Sequence, residues 1–246
     1  MTAAGGPQTA PALVPTKPWG LRSLALRIVL TAAALSVWFW TQSLIGARPL
    51  PAAGIGDGLL AWTAPVNHYL DQHHTACNML LIASSGIIDL LAIFLLASWI
   101  FGTTVRPFLG LVILLGLRQL MQAIVALPAP PNALWHYPGF PSLLVTYNVG
   151  NDYFFSGHTA MAVFGATELM RVGKRWSSDK PPFSAKRWLS VLAVLIIVFE
   201  IATVLVLRAH YTMDVFTGLI AALLVASFIA ALAGPIDRAL QKATKT

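Results

Sequence analysis

Charge is what this sequence has least of. Charged residues fill 10% of its 246 positions and hydrophobic ones 57%, whereas a soluble domain carries about 25% charged residues. A surface so poor in charge would not stay dissolved. A soluble globular class is therefore excluded, and lipid is the solvent for much of the chain; the mean hydropathy of +0.72 agrees. Cysteine is nearly missing too. Cys77 stands alone, which excludes an internal disulfide or a cysteine metal cluster and leaves the redox compartment unread. Acidic residues number 9 against 16 Lys and Arg, for a formal net charge of +7. In a soluble chain that excess would suggest nucleic acid; here the positions of the basic residues give it another meaning.

What the sequence does have is long apolar runs. A bilayer core takes about 20 residues of apolar helix, and segments 28–45, 79–101, 108–127, 153–170, 188–207 and 211–234 meet or approach that length. The expected fold is an all-α membrane protein, a six-transmembrane helix bundle over residues 23–234. A disordered cytoplasmic tail over 1–22 precedes it and a cytoplasmic tail over 235–246 follows. Residues 1–18 are rich in Ala, Pro, Gly and Thr without an apolar run, so the first span reads as uncleaved. The fourth segment is short and carries His158 and Glu168; five spans with a re-entrant fourth is the alternative arrangement.

Basic residues favour the cytoplasmic side of a membrane. With six alternating spans, all 16 fall on one side except Arg48, Arg118 and Arg208. A five-span chain would strand the basic C-terminal tail on the wrong side. Both termini are thus expected in the cytoplasm, and the basic excess is a topology signal rather than a nucleic-acid patch. The opposite face carries two long connections rich in Trp, Tyr, His and Pro, residues suited to the membrane interface. Within the first, residues 57–70 are expected to form a short interfacial helix.

All six histidines lie on or at the edge of that opposite face: His68, His73, His74, His136, His158 and His210. Two of them stand in suggestive patterns, Asn151-Asp152-Tyr153-Phe154-Phe155-Ser156-Gly157-His158-Thr159 and Arg208-Ala209-His210-Tyr211-Thr212-Met213-Asp214. His210 and Asp214 are four apart at a helix start and share a face. A carboxylate beside an imidazole fixes its tautomer and raises its basicity, leaving the other ring nitrogen to attack. In the first pattern Ser156 can cap a helix and Gly157 allows close approach of backbone. The exposed N–H groups there favour phosphate, and His158 could protonate a leaving oxygen.

Ser156-Gly157-His158-Thr159 and His210-Tyr211-Thr212-Met213-Asp214, with Arg118 followed by Leu127-Pro128-Ala129-Pro130, resemble the motifs of the sphingomyelin synthase branch of the type 2 phosphatidic acid phosphatase superfamily. The resemblance runs from about Arg118 to the end of the sixth span, with Pro49-Leu50-Pro51 as a weaker echo. It implies a six-helix bundle of the lipid phosphatase/phosphotransferase type. A phospho-head group would move from a phospholipid donor to ceramide, diacylglycerol or water through a phosphohistidine at His210. Asp214 would orient His210, and His158 would serve as acid and then base. No metal or other cofactor is implied, since N–H groups and arginine can stabilise the phosphoryl charge. Arg118, Asp152, Tyr153, Ser156, Gly157, Arg208 and Tyr211 are the expected substrate-binding residues.

The chain departs from the wider superfamily in one respect. Classical lipid phosphatases place an arginine six residues before the nucleophilic histidine, and here that position is Val204. No lysine lies on the non-cytoplasmic face. Arg118 and Arg208 alone suit a singly charged diester better than a doubly charged monoester, which favours head-group transfer over simple dephosphorylation.

Blander readings stand beside these. His158, His210 and Asp214 could ligate zinc, although no helix bears a His-Glu-x-x-His pattern. Arg118 lies mid-span and contacts substrate or pairs with Asp89 or Glu200. Glu168 is expected to pair with Arg171. The remaining histidines and the tryptophans read as interfacial residues. Hydrolysis by a lipid phosphatase or a phospholipase C-like enzyme is the rival chemistry, and a non-catalytic lipid-binding or scrambling protein the rival of another class.

Overall fold

The computed structural model describes residues 20–47, 55–147, 153–176 and 185–243. The expected substrate residue Asp152 and the Pro49-Leu50-Pro51 echo lie outside them. The described chain is all helical: α1 (Leu21–Gly46), α2 (Gly58–Trp62), α3 (Ala64–Gln72), α4 (His74–Ile100), α5 (Arg106–Ile124), α6 (Gly157–Trp176), α7 (Ala185–Val206) and α8 (Thr212–Ala243). Helix is the conformation that satisfies every backbone donor and acceptor within its own segment, as hydrocarbon requires. Five of the six long helices, α1, α4, α5, α7 and α8, are long and apolar enough to cross a membrane.

The sixth long helix, α6, falls short of that apolarity for a physical reason. It is the central helix, packed against α4, α5, α7 and α8, and Ala160, Met161, Ala162, Val163, Phe164 and Ala166 are all buried. A helix sheathed by protein needs no lipid-compatible circumference, so it can carry polar residues at both ends. Its neighbours turn large apolar side chains outward instead, among them Leu90, Leu195, Leu224 and Phe228.

The helix limits differ from the expected spans. The first helix begins at Leu21 and α4 at His74, while α8 continues through Pro235 to Ala243, so much of the segment read as a C-terminal tail is helical. The expected interfacial helix is two short pieces. Asp57 opens the first by accepting the N–H groups of Leu59 (3.0 Å) and Leu60 (3.2 Å).

One end of the bundle is knit by charged groups. Arg27, expected to flank the first span, is buried inside α1 and donates to the carbonyls of Trp99, Ile100 (3.1 Å) and Gly102 (2.8 Å). It thereby satisfies the terminal carbonyls of α4. Asp237 of α8 accepts from Thr104 (2.7 Å) and the Val105 N–H (2.6 Å), just before α5. Glu168 of α6 pairs with Arg106 at 2.7 Å, both side chains buried, while the expected partner Arg171 stands 4.0 Å away. The expected Arg171 pair is thus present at the outer limit of an ion pair, and Arg106 is the closer partner that the sequence did not suggest. A buried carboxylate needs a close, desolvated cation, and a half-exposed neighbour in the same helix does not supply one.

Candidate active site

The histidine motifs meet at the other end of the bundle. Ser156 precedes α6, and its hydroxyl accepts the Thr159 N–H at 3.3 Å, the capping role expected of it. The Ser156 N–H donates to the Asp214 carbonyl at 3.0 Å, which ties the start of α6 to the start of α8. The two helices come this close because residue 218 is glycine. A Cβ there would stand 2.6 Å from the Ser156 carbonyl oxygen.

His210 sits in the turn between α7 and α8, and its Nδ1 lies 2.7 Å from the Tyr153 carbonyl oxygen. A carbonyl can only accept, so Nδ1 carries the proton and Nε2 is left with its lone pair. Such a nitrogen is a nucleophile. The tautomer was expected to be set by Asp214, but Asp214 Oδ2 is 3.9 Å from Nδ1, beyond hydrogen-bond range. That oxygen instead accepts the Tyr211 N–H at 2.9 Å. The fully buried Asp214 side chain therefore shapes the turn beside the imidazole, while the Tyr153 carbonyl holds the ring at Nδ1.

His158 occupies the first turn of α6 and lines the same pocket as His210. Its ring packs edge-on against Trp135, with centroids 5.0 Å apart. Its Nε2 is buried and has no partner. Arg118 reaches this pocket from α5 and lies against the N-terminus of α6. Gly157 permits the approach, because a Cβ on it would stand 2.8 Å from Arg118 Nε. A guanidinium beside a positive helix end is unfavourable unless an anion joins them. Neither Asp89 nor Glu200 pairs with Arg118. Asp89 accepts from Ser142 and from the Leu143 and Leu144 N–H groups, and Glu200 accepts from Ser84 at 2.6 Å.

Other expected substrate residues serve the scaffold. Arg208 donates to the carbonyls of Pro131 (2.7 Å) and Leu60 (3.1 Å) and does not line the pocket. Its φ of 53° is one that side-chain-bearing residues seldom adopt. The Tyr211 hydroxyl donates to the Ala129 carbonyl at 3.3 Å. The Leu127-to-Pro130 segment and the residue after it thus brace the turn that carries His210 rather than face the pocket. Sequence reasoning missed Gln42, which accepts from Arg118 at 3.1 Å, and it placed Trp38 and Trp135 at the interface although both line the pocket. A neutral acceptor such as Gln42 orients the guanidinium without cancelling its charge. Among the described residues, no group of three or more His, Cys, Asp or Glu side chains is placed to hold a metal ion.

The pocket has a volume of about 50 Å³ and presents one arginine, two imidazoles and a helix N-terminus to whatever enters it, a set suited to a phosphate ester. Residues 150–231 match the family model described as PAP2 superfamily C-terminal. That match supports the type 2 phosphatidic acid phosphatase superfamily. The matched third of the chain holds His158, His210 and Asp214, and Arg118 lies outside it. The match in turn supports a lipid enzyme of the phosphatase or phosphotransferase type. Neither curated proteins nor solved structures give a match.

Proposed function

We propose that this protein is a membrane-embedded lipid phosphotransferase of sphingomyelin synthase type. In this reading His210 Nε2 attacks the phosphorus of a phospholipid, and the bond to the diacylglycerol oxygen breaks as protonated His158 delivers its proton there. His158, now neutral, takes the proton of an acceptor hydroxyl. That oxygen attacks the phosphohistidine, the N–P bond breaks, and the product diester leaves. Arg118 and the start of α6 hold the non-bridging oxygens, where charge builds in the transition state.

The observation that carries this reading is the shared pocket of His158, His210 and Arg118. The diester preference gains support from Arg208, whose guanidinium is taken by two backbone carbonyls, leaving Arg118 as the arginine that lines the pocket. One guanidinium matches the single charge of a diester. The non-cytoplasmic site and cytoplasmic termini, in a bacterial inner membrane, belong to the same proposal. They are supported by Arg22, Arg106, Arg171, Arg187, Arg238 and Lys242, all at helix ends away from the histidines.

The test is to incubate purified protein with head-group-labelled phospholipid, with and without ceramide or diacylglycerol, and identify the products. Label passing to the added lipid alcohol is the expected result. Full-rate conversion of phosphatidic acid, with diesters untouched, would overturn it, and release of head group to water alone would establish the hydrolase instead. Unchanged lipid turnover after His210→Ala would favour a non-catalytic lipid binder.

A further inference from the structure

A second, larger cavity lies between α1 and α5, with Leu96 of α4 at its wall, and has a volume of about 510 Å³. Its walls are almost wholly apolar: Leu35, Val37, Trp38, Leu111, Val112 and Leu115 among them, with Ala33, Ala34 and Gly116 providing the hollow. The Thr41 hydroxyl on its rim is turned to the carbonyls of its own helix, at 2.9 and 3.0 Å. The cavity is not isolated. Trp38 and Leu115 belong to its wall and to the wall of the histidine pocket alike.

Depth along α5 fixes the scale. From Arg118 at the pocket to Phe108 at the far end of the groove the rise is about 15 Å at 1.5 Å per residue, half of a hydrocarbon core about 30 Å thick. The groove therefore starts near the middle of α5, at the level of Arg118, and runs toward the end that carries Arg106. A molecule with its phosphate against Arg118 and a long apolar tail has one continuous surface to follow.

We infer that the α1–α5 groove is the acyl-chain site of the phospholipid donor, whose phosphorus rests between His158 and His210 while one chain passes Trp38 and Leu115 into the groove. The inference rests on the functional reading above and extends it. Donor selection becomes a matter of chain length as well as head group, and donor enters sideways from the bilayer between these two helices.

Gly116 is the position at which to test this. A Cβ added there meets nothing within 4 Å, so a side chain can be started at this position of the groove wall without a clash at its root. Gly116→Phe and wild type are to be assayed in parallel on a long-chain phospholipid in mixed micelles and on a short-chain, water-soluble analogue with the same head group. The expected result is a KM for the long-chain donor raised about tenfold, the loss of a few buried methylenes, with the short-chain KM and kcat within about twofold of wild type. A milder Gly116→Ala variant should fall between the two. Equal effects on both donors, or none on either, would overturn the groove assignment while leaving the phosphotransferase reading in place. Failure of wild type to turn over either donor would overturn that reading and this inference together.

Discussion

At the scale of single residues the site works by division of labour. In the proposed reaction the Tyr153 carbonyl holds His210 Nδ1 at 2.7 Å while the Asp214 carboxyl stands 3.9 Å off, so the attacking nitrogen stays defined when Asp214 is substituted, provided the turn survives. His158 moves the proton in that reaction. His158→Ala should lower kcat by about 10²–10⁴-fold, the usual worth of general acid–base catalysis, with KM little changed; steady-state kinetics on the phospholipid donor measure both. Gln42→Glu should place a carboxylate on Arg118, cancel part of its charge and raise KM for the donor, while Gln42→Ala should loosen the guanidinium without cancelling it. A larger rise in KM for the Ala variant than for the Glu variant would show that charge at Arg118 is not what counts.

Side-chain type and spacing were enough to point to His158 and His210, which line one pocket, and to Ser156 as a cap. What stayed hidden depended on backbone or on distant partners. The Tyr153 carbonyl leaves no trace in residue type. Arg208 looks like an anion ligand until the carbonyls of Leu60 and Pro131, remote in sequence, are seen around it. Gln42 sits 76 positions from Arg118 in a helix with no motif of its own.

Between elements, the close approach of α6 and α8 is what brings the two histidines together, and Gly218 is its weak point. Gly218→Ala would drive a Cβ against backbone at 2.6 Å, and backbone cannot turn aside. The expected cost is about 1–3 kcal/mol of stability, as for other overpacked cores, with a fall in kcat because the pocket is built across this contact. Thermal unfolding in detergent and the kinetic assay should move together. The Arg106–Glu168 pair at the opposite end gives a contrasting test. Arg106→Met alone strands a buried carboxylate and should cost about 3–5 kcal/mol, whereas Arg106→Met with Glu168→Leu should be near neutral.

The element pattern was largely readable, since apolar length marks membrane helices. The exception is informative. Sequence apolarity reports contact with lipid, and α6 is enclosed by protein, so its signal is diluted although it is the structural centre. Helix limits were misplaced where polar residues continue a helix past the apolar core, as at the start of α4 and the end of α8.

On the scale of the whole molecule, one carboxylate outside the spans joins the first loop to the catalytic end. Asp57 accepts from the Thr212 hydroxyl at 2.6 Å and from its N–H, while capping α2. Burial pushes its pKa up, but the bonds from Thr212, Leu60 and Leu59 outweigh that and hold it below the ordinary carboxylate value. The folded value is thus lower than the unfolded one. Its stabilising contribution is complete above the unfolded value, near pH 4, and is lost as pH falls through the lowered folded value. Wild-type Tm should therefore drop in that acid range, and Asp57→Asn should flatten that part of the Tm–pH curve while lowering Tm at neutral pH.

The whole account turns on phosphorus passing through His210. Purified protein given phospholipid with a radiolabelled phosphorus, quenched during turnover and digested, should carry acid-labile label on the peptide containing His210, and His210→Ala should carry none. Rapid turnover with no phosphate ever bound to the protein, or label equally strong in the His210→Ala variant, would contradict it.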